Sequence, residues 1–277
     1  MELGVASDVT DQTVGIVELA RAVEDVGLES LFVFEHTHVP VSRRDVLEDE
    51  FHAGDARLLD QFTVLGAAAA VTSRVKLGTG ICVVPQHDTI QLAKQVATID
   101  HLSGGRFLFG VAAGWLVEEM RNHGVDPSTR WERMAEQLSA MKAIWTRDEA
   151  EFHGRFVDFD PIWLWPKPVQ QPHPPILVGG SGERGLRVAV AEGDGWAPVV
   201  ESPEEFERDL AALSRACEEA GRPRPPITVF TFEADEKTLD RYAELGVTRS
   251  ILWAPTDSAD ALRECLQRCA ALSDRLR

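Results

Sequence analysis

The stretch PILVGGSGERGLRVAVAEGDGWAPVV, residues 175–200, decides the fold. It opens with an apolar run that stops on two glycines, the pattern of a buried strand ending at a turn. A helix is predicted at about 182–192, and a second apolar run, GWAPVV (195–200), follows it. The same unit repeats downstream: a helix at about 203–221, ITVFTF (227–232), a helix at about 236–246, RSILWA (249–254) and a last helix at about 258–273. Upstream, ELGVAS (2–7) leads into a helix at about 13–27 whose Ile16, Leu19, Ala20 and Val23 share one face. Next come a strand at 30–35, a helix at about 60–72, VKLGTGI (75–81) and a helix at about 89–101. RFLFGVA (106–112) precedes helical segments at about 115–122 and 130–146, the latter with Trp131, Met134, Leu138, Met141 and Trp145 at helical spacing.

Only residues 148–175 interrupt the alternation. They read as a hairpin, EFHGRFVDF, and a segment, PIWLWPKPVQQPHPP, whose six prolines exclude both a helix and a central strand. Eight strands, each followed by a helix, predict a closed (β/α)8 TIM barrel. The strands are continuously apolar, as a parallel sheet covered on both faces requires. The expected organisation is one domain, 1–277, with an insertion at about 148–175 between the fourth helix and fifth strand. An open doubly wound sheet is the alternative, but the first turn, ASDVTDQT, lacks a dinucleotide glycine fingerprint.

With 277 residues, 44% of them hydrophobic, the chain is long enough for a large core. A formal charge of −17 argues against nucleic acid or an anionic membrane as partner. An anionic ligand would need a local set of amides or arginines. No apolar stretch approaches the roughly 20 residues of a membrane span, and nothing resembles a signal peptide. Cys82, Cys217, Cys265 and Cys269 form no disulfide framework, so a cytoplasmic location is expected.

In this fold the active site lies at the C-terminal strand ends. Strand two ends in LFVFEHTHVP (31–40), which delivers Glu35, His36 and His38 to that rim. The H-x-H pair raises a metal site. The ends of strands five and six, Gly179–Gly180–Ser181–Gly182 and Trp196–Ala197–Pro198, offer no further histidine, so no metal is expected. Glu35 and His36 instead suit acid–base work beside a bound heterocycle, His36 exchanging a proton and Glu35 orienting it. A histidine that merely hydrogen-bonds at the loop mouth fits the same residues. VGGSGERG (178–185) places glycines, Ser181 and Arg184 at a helix start, where backbone N–H groups bind phosphate. A plain strand–helix turn is the other reading. Gly80 in LGTGICVV leaves room for a flat ring or marks a β-bulge, and GVAAGW (110–115) leaves room beside Trp115. The long loop at about 37–59, with Arg43, Arg44 and the acidic LEDE, is expected to be a lid over substrate. Trp115, Trp163, Trp165 and Trp196 are candidate pocket walls.

Taken together, SLFVFEHTHVP, LGTGICVV, HLSGGRFLFGVAAGW, VDFDPIWLWPKPVQ and PPILVGGSG, in this order, resemble the bacterial luciferase-like superfamily. Within it they are most similar to the oxidoreductases that use the deazaflavin coenzyme F420. The resemblance runs from about residue 2 to 200. It implies a flavin-type ring over the barrel mouth and a phosphate tail held after strand five. By that resemblance Glu35 and His36 lie against the ring, and Gly80–Ile81 form the bulge behind it, often a non-proline cis peptide. Ala112, Ala113 and Gly114 form the strand-four turn, and Gly179, Gly180, Ser181 and Gly182 the phosphate loop. His38, Arg43, Arg44, Trp115 and Trp196 are the expected substrate contacts. The implied activity is hydride transfer between F420 and a small organic substrate, by a homodimer. An FMN-dependent monooxygenase is the first alternative; a barrel that binds a phosphorylated ligand without turnover is the second.

Overall fold

The computed structural model describes residues 1–48, 52, 54–232 and 235–276. Part of the expected 37–59 loop (49–51 and 53) lies outside the described residues. In chain order the strands are β1 (Glu2–Ser7), β2 (Ser30–Val33), β3 (Lys76–Thr79), β4 (Cys82–Val83), β5 (Phe107–Ala112), β6 (Ala150–His153), β7 (Asp158–Ile162), β8 (Ile176–Val178), β9 (Gly195–Trp196), β10 (Thr228–Thr231) and β11 (Arg249–Trp253). The helices are α1 (Ile16–Asp25), α2 (Gln61–Val71), α3 (Thr89–Ser103), α4 (Val117–Asn122), α5 (Arg130–Thr146), α6 (Glu183–Glu192), α7 (Pro203–Ala220), α8 (Glu236–Glu244) and α9 (Ala259–Leu276).

Eight strands run parallel in the order β10–β11–β1–β2–β3–β5–β8–β9, with β4 beside β5. Parallel bridges Trp196–Ile227 and Val199–Phe230 bring β9 against β10 and nearly close the barrel. The open doubly wound sheet is thereby excluded. Between α5 and β8, β6 and β7 pair as an antiparallel hairpin.

The helices form where local chemistry permits. Asp60, Asp88, Ser202 and Asp235 cap α2, α3, α7 and α8 by accepting from the amides of Thr63, Gln91, Glu205 and Thr238. Each cap contributes on the order of 1 kcal/mol. On α5 the predicted stripe Met134, Leu138, Met141 and Trp145 is buried. The strands are shorter than their apolar runs. Strand six keeps only Gly195–Trp196; beyond it Pro198, with no N–H to donate, meets β10 through its carbonyl, which accepts from the Phe230 amide at 2.9 Å. Strand five stops at Val178, since Gly180 turns the chain with φ +99°. Strand three breaks at Gly80–Ile81, whose peptide is cis.

The barrel interior is a small apolar cluster of Ala6, Phe32, Leu108, Leu177, Ala197, Phe230 and Ile251, one residue from nearly every strand. β3 contributes Gly78 instead, because a Cβ there would lie 2.2 Å from the Phe32 ring. Phe32 fills that space and meets Phe230 edge-to-face, centroids 5.2 Å apart. A larger cluster joins the outer strand faces to the helices. At the N-terminal end of the barrel, Glu29 pairs with Arg249 (2.6 Å) and Lys76 (2.8 Å), tying β2, β3 and β11 together. The opposite end carries the chemistry.

Candidate functional site

β2 delivers the histidines to the rim. Ladder pairing ends at Val33, and the chain turns outward so that Phe34, with Ile81, packs half-buried on top of the interior cluster. The next two residues then diverge. Glu35 turns toward β4: one carboxylate oxygen accepts from the Val83 amide and the other meets His87 Nε2 at 2.8 Å. His36 turns toward α4, where its Nδ1 lies 2.8 Å from Glu119 Oε2. The expected orientation of His36 by Glu35 is therefore corrected. Glu119 holds His36, and Glu35 braces the bulge after β3. The reason is geometric, since adjacent residues leaving a strand point to opposite sides.

Glu119 is 1% exposed and fully engaged. Its Oε1 accepts from the Thr37 amide (2.8 Å) and the Thr37 hydroxyl (3.0 Å). Burial would raise this carboxyl, but the hydrogen bonds from His36 and Thr37 win and hold it at about 2. Burial likewise works against charge on His36, but the Glu119 carboxylate and Asp55 outweigh it and raise the imidazole above its ordinary value. The other ring nitrogen, Nε2, is 3.5 Å from Asp55 Oδ2. Asp55 also takes His52 Nδ1 at 2.8 Å. Trp115 packs against both imidazoles, 5.6 Å from His36 and 5.1 Å from His52. At the end of β1, burial and then the charge of Asp55 push the Asp8 carboxyl up to about 6.

Removing the Glu119 charge should release His36. The Glu119→Gln protein is predicted to show a lowered His36 pKa, because burial then opposes the charged imidazole with only Asp55 left against it. An NMR titration of labelled histidines measures this directly; an unmoved His36 resonance midpoint would refute it. His36 has a raised native pKa, so its contribution to stability is present below about 6.5 and is lost as pH rises through the native value.

Farther round the rim, β8 runs out through Gly179–Gly182 into α6. Gly182 is the N-cap and no side chain caps the helix. A Cβ at Gly180 would lie 2.8 Å from the Trp131 ring, whereas one at Gly182 would meet nothing within 4 Å. The turn is thus packed on one side and open on the other. Ser181 is half-buried and Arg184 exposed.

Several expected contacts take other positions. Trp196 is fully buried, donates from Nε1 to the Gly180 carbonyl (2.9 Å) and stacks on Phe206. It braces the glycine turn from behind and is not a substrate wall. A Cβ at Gly80 would point at Phe32 (2.9 Å) and Phe230 (3.0 Å), so core packing is what demands that glycine. A Cβ at Gly179 would lie 2.7 Å from Ile81, which locks those two turns together. Gly114 has φ +83°, and Ala112 beside it is half-buried. Ala113 packs into the outer core. Arg43 pairs with Asp45 (3.2 Å) and Glu118 (3.0 Å), while Arg44 is exposed. His38 Nδ1 meets the Thr37 hydroxyl at 2.9 Å, and its Nε2 meets Asn122 at 2.9 Å. Glu119, Asp55 and His52 escaped sequence reasoning. Nothing in a polar helix or a long loop distinguishes an acid that folds back onto a strand end.

The luciferase-like monooxygenase family profile matches residues 4–248 of this chain. The uncharacterized protein Rv0953c of Mycobacterium tuberculosis is 39% identical over 286 aligned positions that cover 98% of each chain. The FMNH2-dependent dimethylsulfone monooxygenase of Pseudomonas putida is 39% identical over 125 positions, covering 44% of this chain and 34% of that one. Among solved structures, an F420-dependent secondary alcohol dehydrogenase in complex with an F420–acetone adduct superposes with a TM-score of 0.80 at 18% identity, covering 98% of both chains. That likeness is one of fold. Among the described residues, no helix is long and apolar enough to cross a membrane. With a match across most of its length and the parallel barrel that carries it, this chain belongs to the luciferase-like monooxygenase family.

Proposed function

We propose that the protein is a two-electron oxidoreductase that works with a tricyclic cofactor, F420 in the leading reading, on a small organic substrate. The single observation that carries it is the rim arrangement. A buried, carboxylate-paired imidazole and an uncapped glycine turn lie on the same rim, with the half-buried Phe34 and Ile81 as its apolar floor. From β2 to β8 the strand order passes β3 and β5. Three strand spacings are about 14 Å of rim, the scale of a planar ring with a phosphorylated arm.

The residues fit such a group. The amides that begin α6, reached through Gly179–Gly182, would hold its phosphate, and Ile81, Phe34 and Trp115 would contact the ring. When bound, the cofactor supplies the hydride chemistry; the protein supplies orientation and protons. Glu119 holds His36 in one orientation and favours its charged form. His36 would give a proton to, or take one from, a substrate oxygen. Glu35, through Val83 and His87, holds the bulge that supports the ring. The alternative cofactor is FMN, in a monooxygenase reaction. The identity with the FMNH2-dependent monooxygenase over 125 positions favours that second reading.

Gly182→Asp tests the phosphate site. The new side chain has free space and a suitable backbone (φ −71°). As an N-cap it accepts the amides a phosphate would use, and its charge repels one by about 1–4 kcal/mol. Affinity for the cofactor is expected to fall by about tenfold or more, with thermal stability kept or raised. Unchanged affinity would exclude this turn as the anchor. Dissociation constants for F420 and FMN, measured side by side by fluorescence, rank the two readings; tighter FMN binding reverses the order.

A further inference from the structure

We propose that the loop between β2 and α2 supplies His36 with a second carboxylate, Asp55, and that Asp55 and His52 form the route by which His36 exchanges its ring proton with solvent. This deepens the reading above and rests on His36 as its acid–base group.

The geometry supports a relay. His36 Nδ1 is committed to Glu119, so a proton can enter only at Nε2 or through Glu119 itself. Nε2 faces Asp55 Oδ2, and that same oxygen meets His52 Nδ1. The line is closed at its inner members and open at its outer end: the His36 side chain is 9% exposed, Asp55 6% and His52 38%. A buried group that gives up a proton at each turnover has to regain one from water, and His52 is the member of the line that reaches it. Trp115 packs against both imidazoles and keeps them on either side of the carboxylate. The step moves no electrons. A proton leaves Nδ1 of protonated His52 for Asp55 Oδ2, the O–H so formed turns and gives its proton to Nε2 of neutral His36, which restores the carboxylate, and a proton from solvent returns to His52.

A second outward line exists, from exposed His123 Nε2 through the Thr37 hydroxyl (2.7 Å) to Glu119 Oε1. It is the poorer carrier, since Glu119 would have to accept a proton while held at about 2. The groups that bear on His36 are Glu119 from α4 and Asp55 and His52 from the loop; Asp8, at the end of β1, is itself pushed up by burial and then by the charge of Asp55.

The test needs neither cofactor nor substrate. In the full chain labelled with 15N-histidine, NMR measures exchange of the His36 Nε2 proton with water. His52→Gln is expected to slow exchange by about 10²-fold, the lower range for a positioned proton carrier. Free imidazole added to that variant should restore it, which a purely structural role would not allow. Asp55→Asn should slow exchange likewise; if it does not fold, His52→Gln and its rescue decide. His123→Gln should leave the rate unchanged. Wild-type exchange in His52→Gln, or slowing in His123→Gln, overturns the relay. Failure of the redox reading would appear in the cofactor dissociation constants instead, so the two are separable.

Discussion

Replacing His36 with asparagine is expected to lower turnover by about 10²–10⁴-fold, the range for losing a positioned general acid or base, while cofactor affinity stays near that of the wild type. Asparagine keeps a polar group toward Glu119 but carries no titratable proton. The split between rate and binding separates this outcome from collapse of the site. Stopped-flow decay of reduced cofactor with ketone acceptors gives the rate, and fluorescence gives the affinity. The pH profile adds a second reading. Burial opposes the charged His36, but Glu119 and Asp55 prevail and raise its pKa. In the direction that consumes a proton, the rate should therefore fall only as pH rises through this raised value. The asparagine variant should lose that limb. Near-normal turnover in His36→Asn would remove the residue from the proposed mechanism.

The second large effect lies at the other end of the barrel. Arg249→Met is expected to destabilise the protein by about 3 kcal/mol, the lower bound for breaking a buried ion pair by removing one partner. Arg249 and Glu29 are each 13% exposed and joined by two hydrogen bonds, 2.8 and 2.6 Å. Methionine leaves Glu29 buried with only Lys76, whose side chain is 45% exposed. Burial would raise the Glu29 carboxyl, yet Arg249 and Lys76 hold it at about 2. A depressed carboxyl stabilises the fold above its unfolded pKa of about 4.5, and that contribution disappears as pH falls toward 2. Urea unfolding at neutral pH should thus show the full loss, and the difference between variant and wild type should shrink in acid. A loss under about 1 kcal/mol at neutral pH would mean that the pair is no more than a surface salt bridge. The barrel's C-terminal end, and the activity proposed there, should be unaffected.

Most of the architecture was legible because it rests on short-range patterns. The helix read at 130–146 is observed as Arg130–Thr146, and that at 203–221 as Pro203–Ala220. Period and caps lie within a few residues of each other, so a one-dimensional reading captures them. Strand limits were less legible. GWAPVV reads as one apolar run, but that Pro198 meets β10 through its carbonyl alone is set by where β10 lies. The glycines divide the same way. Gly180 was read as a turn and is one, whereas the demand for glycine at Gly80 comes from Phe32 and Phe230, far away in the chain.

By itself the amino-acid sequence determined the alternating strands and helices, the barrel they build, and the rim to which His36 and the Gly179–Gly182 turn are delivered. Hydrophobic period and turn chemistry act locally and leave a parallel eightfold repeat no better way to bury its apolar faces. Only the tertiary structure decided who partners whom. Glu119 reaches His36 across 83 residues, Glu35 turns away to His87 across 52, and Trp196 moves from the mouth to the core. Such pairings depend on where separate elements come to rest, and a carboxylate carries no mark in the sequence of the imidazole it will meet.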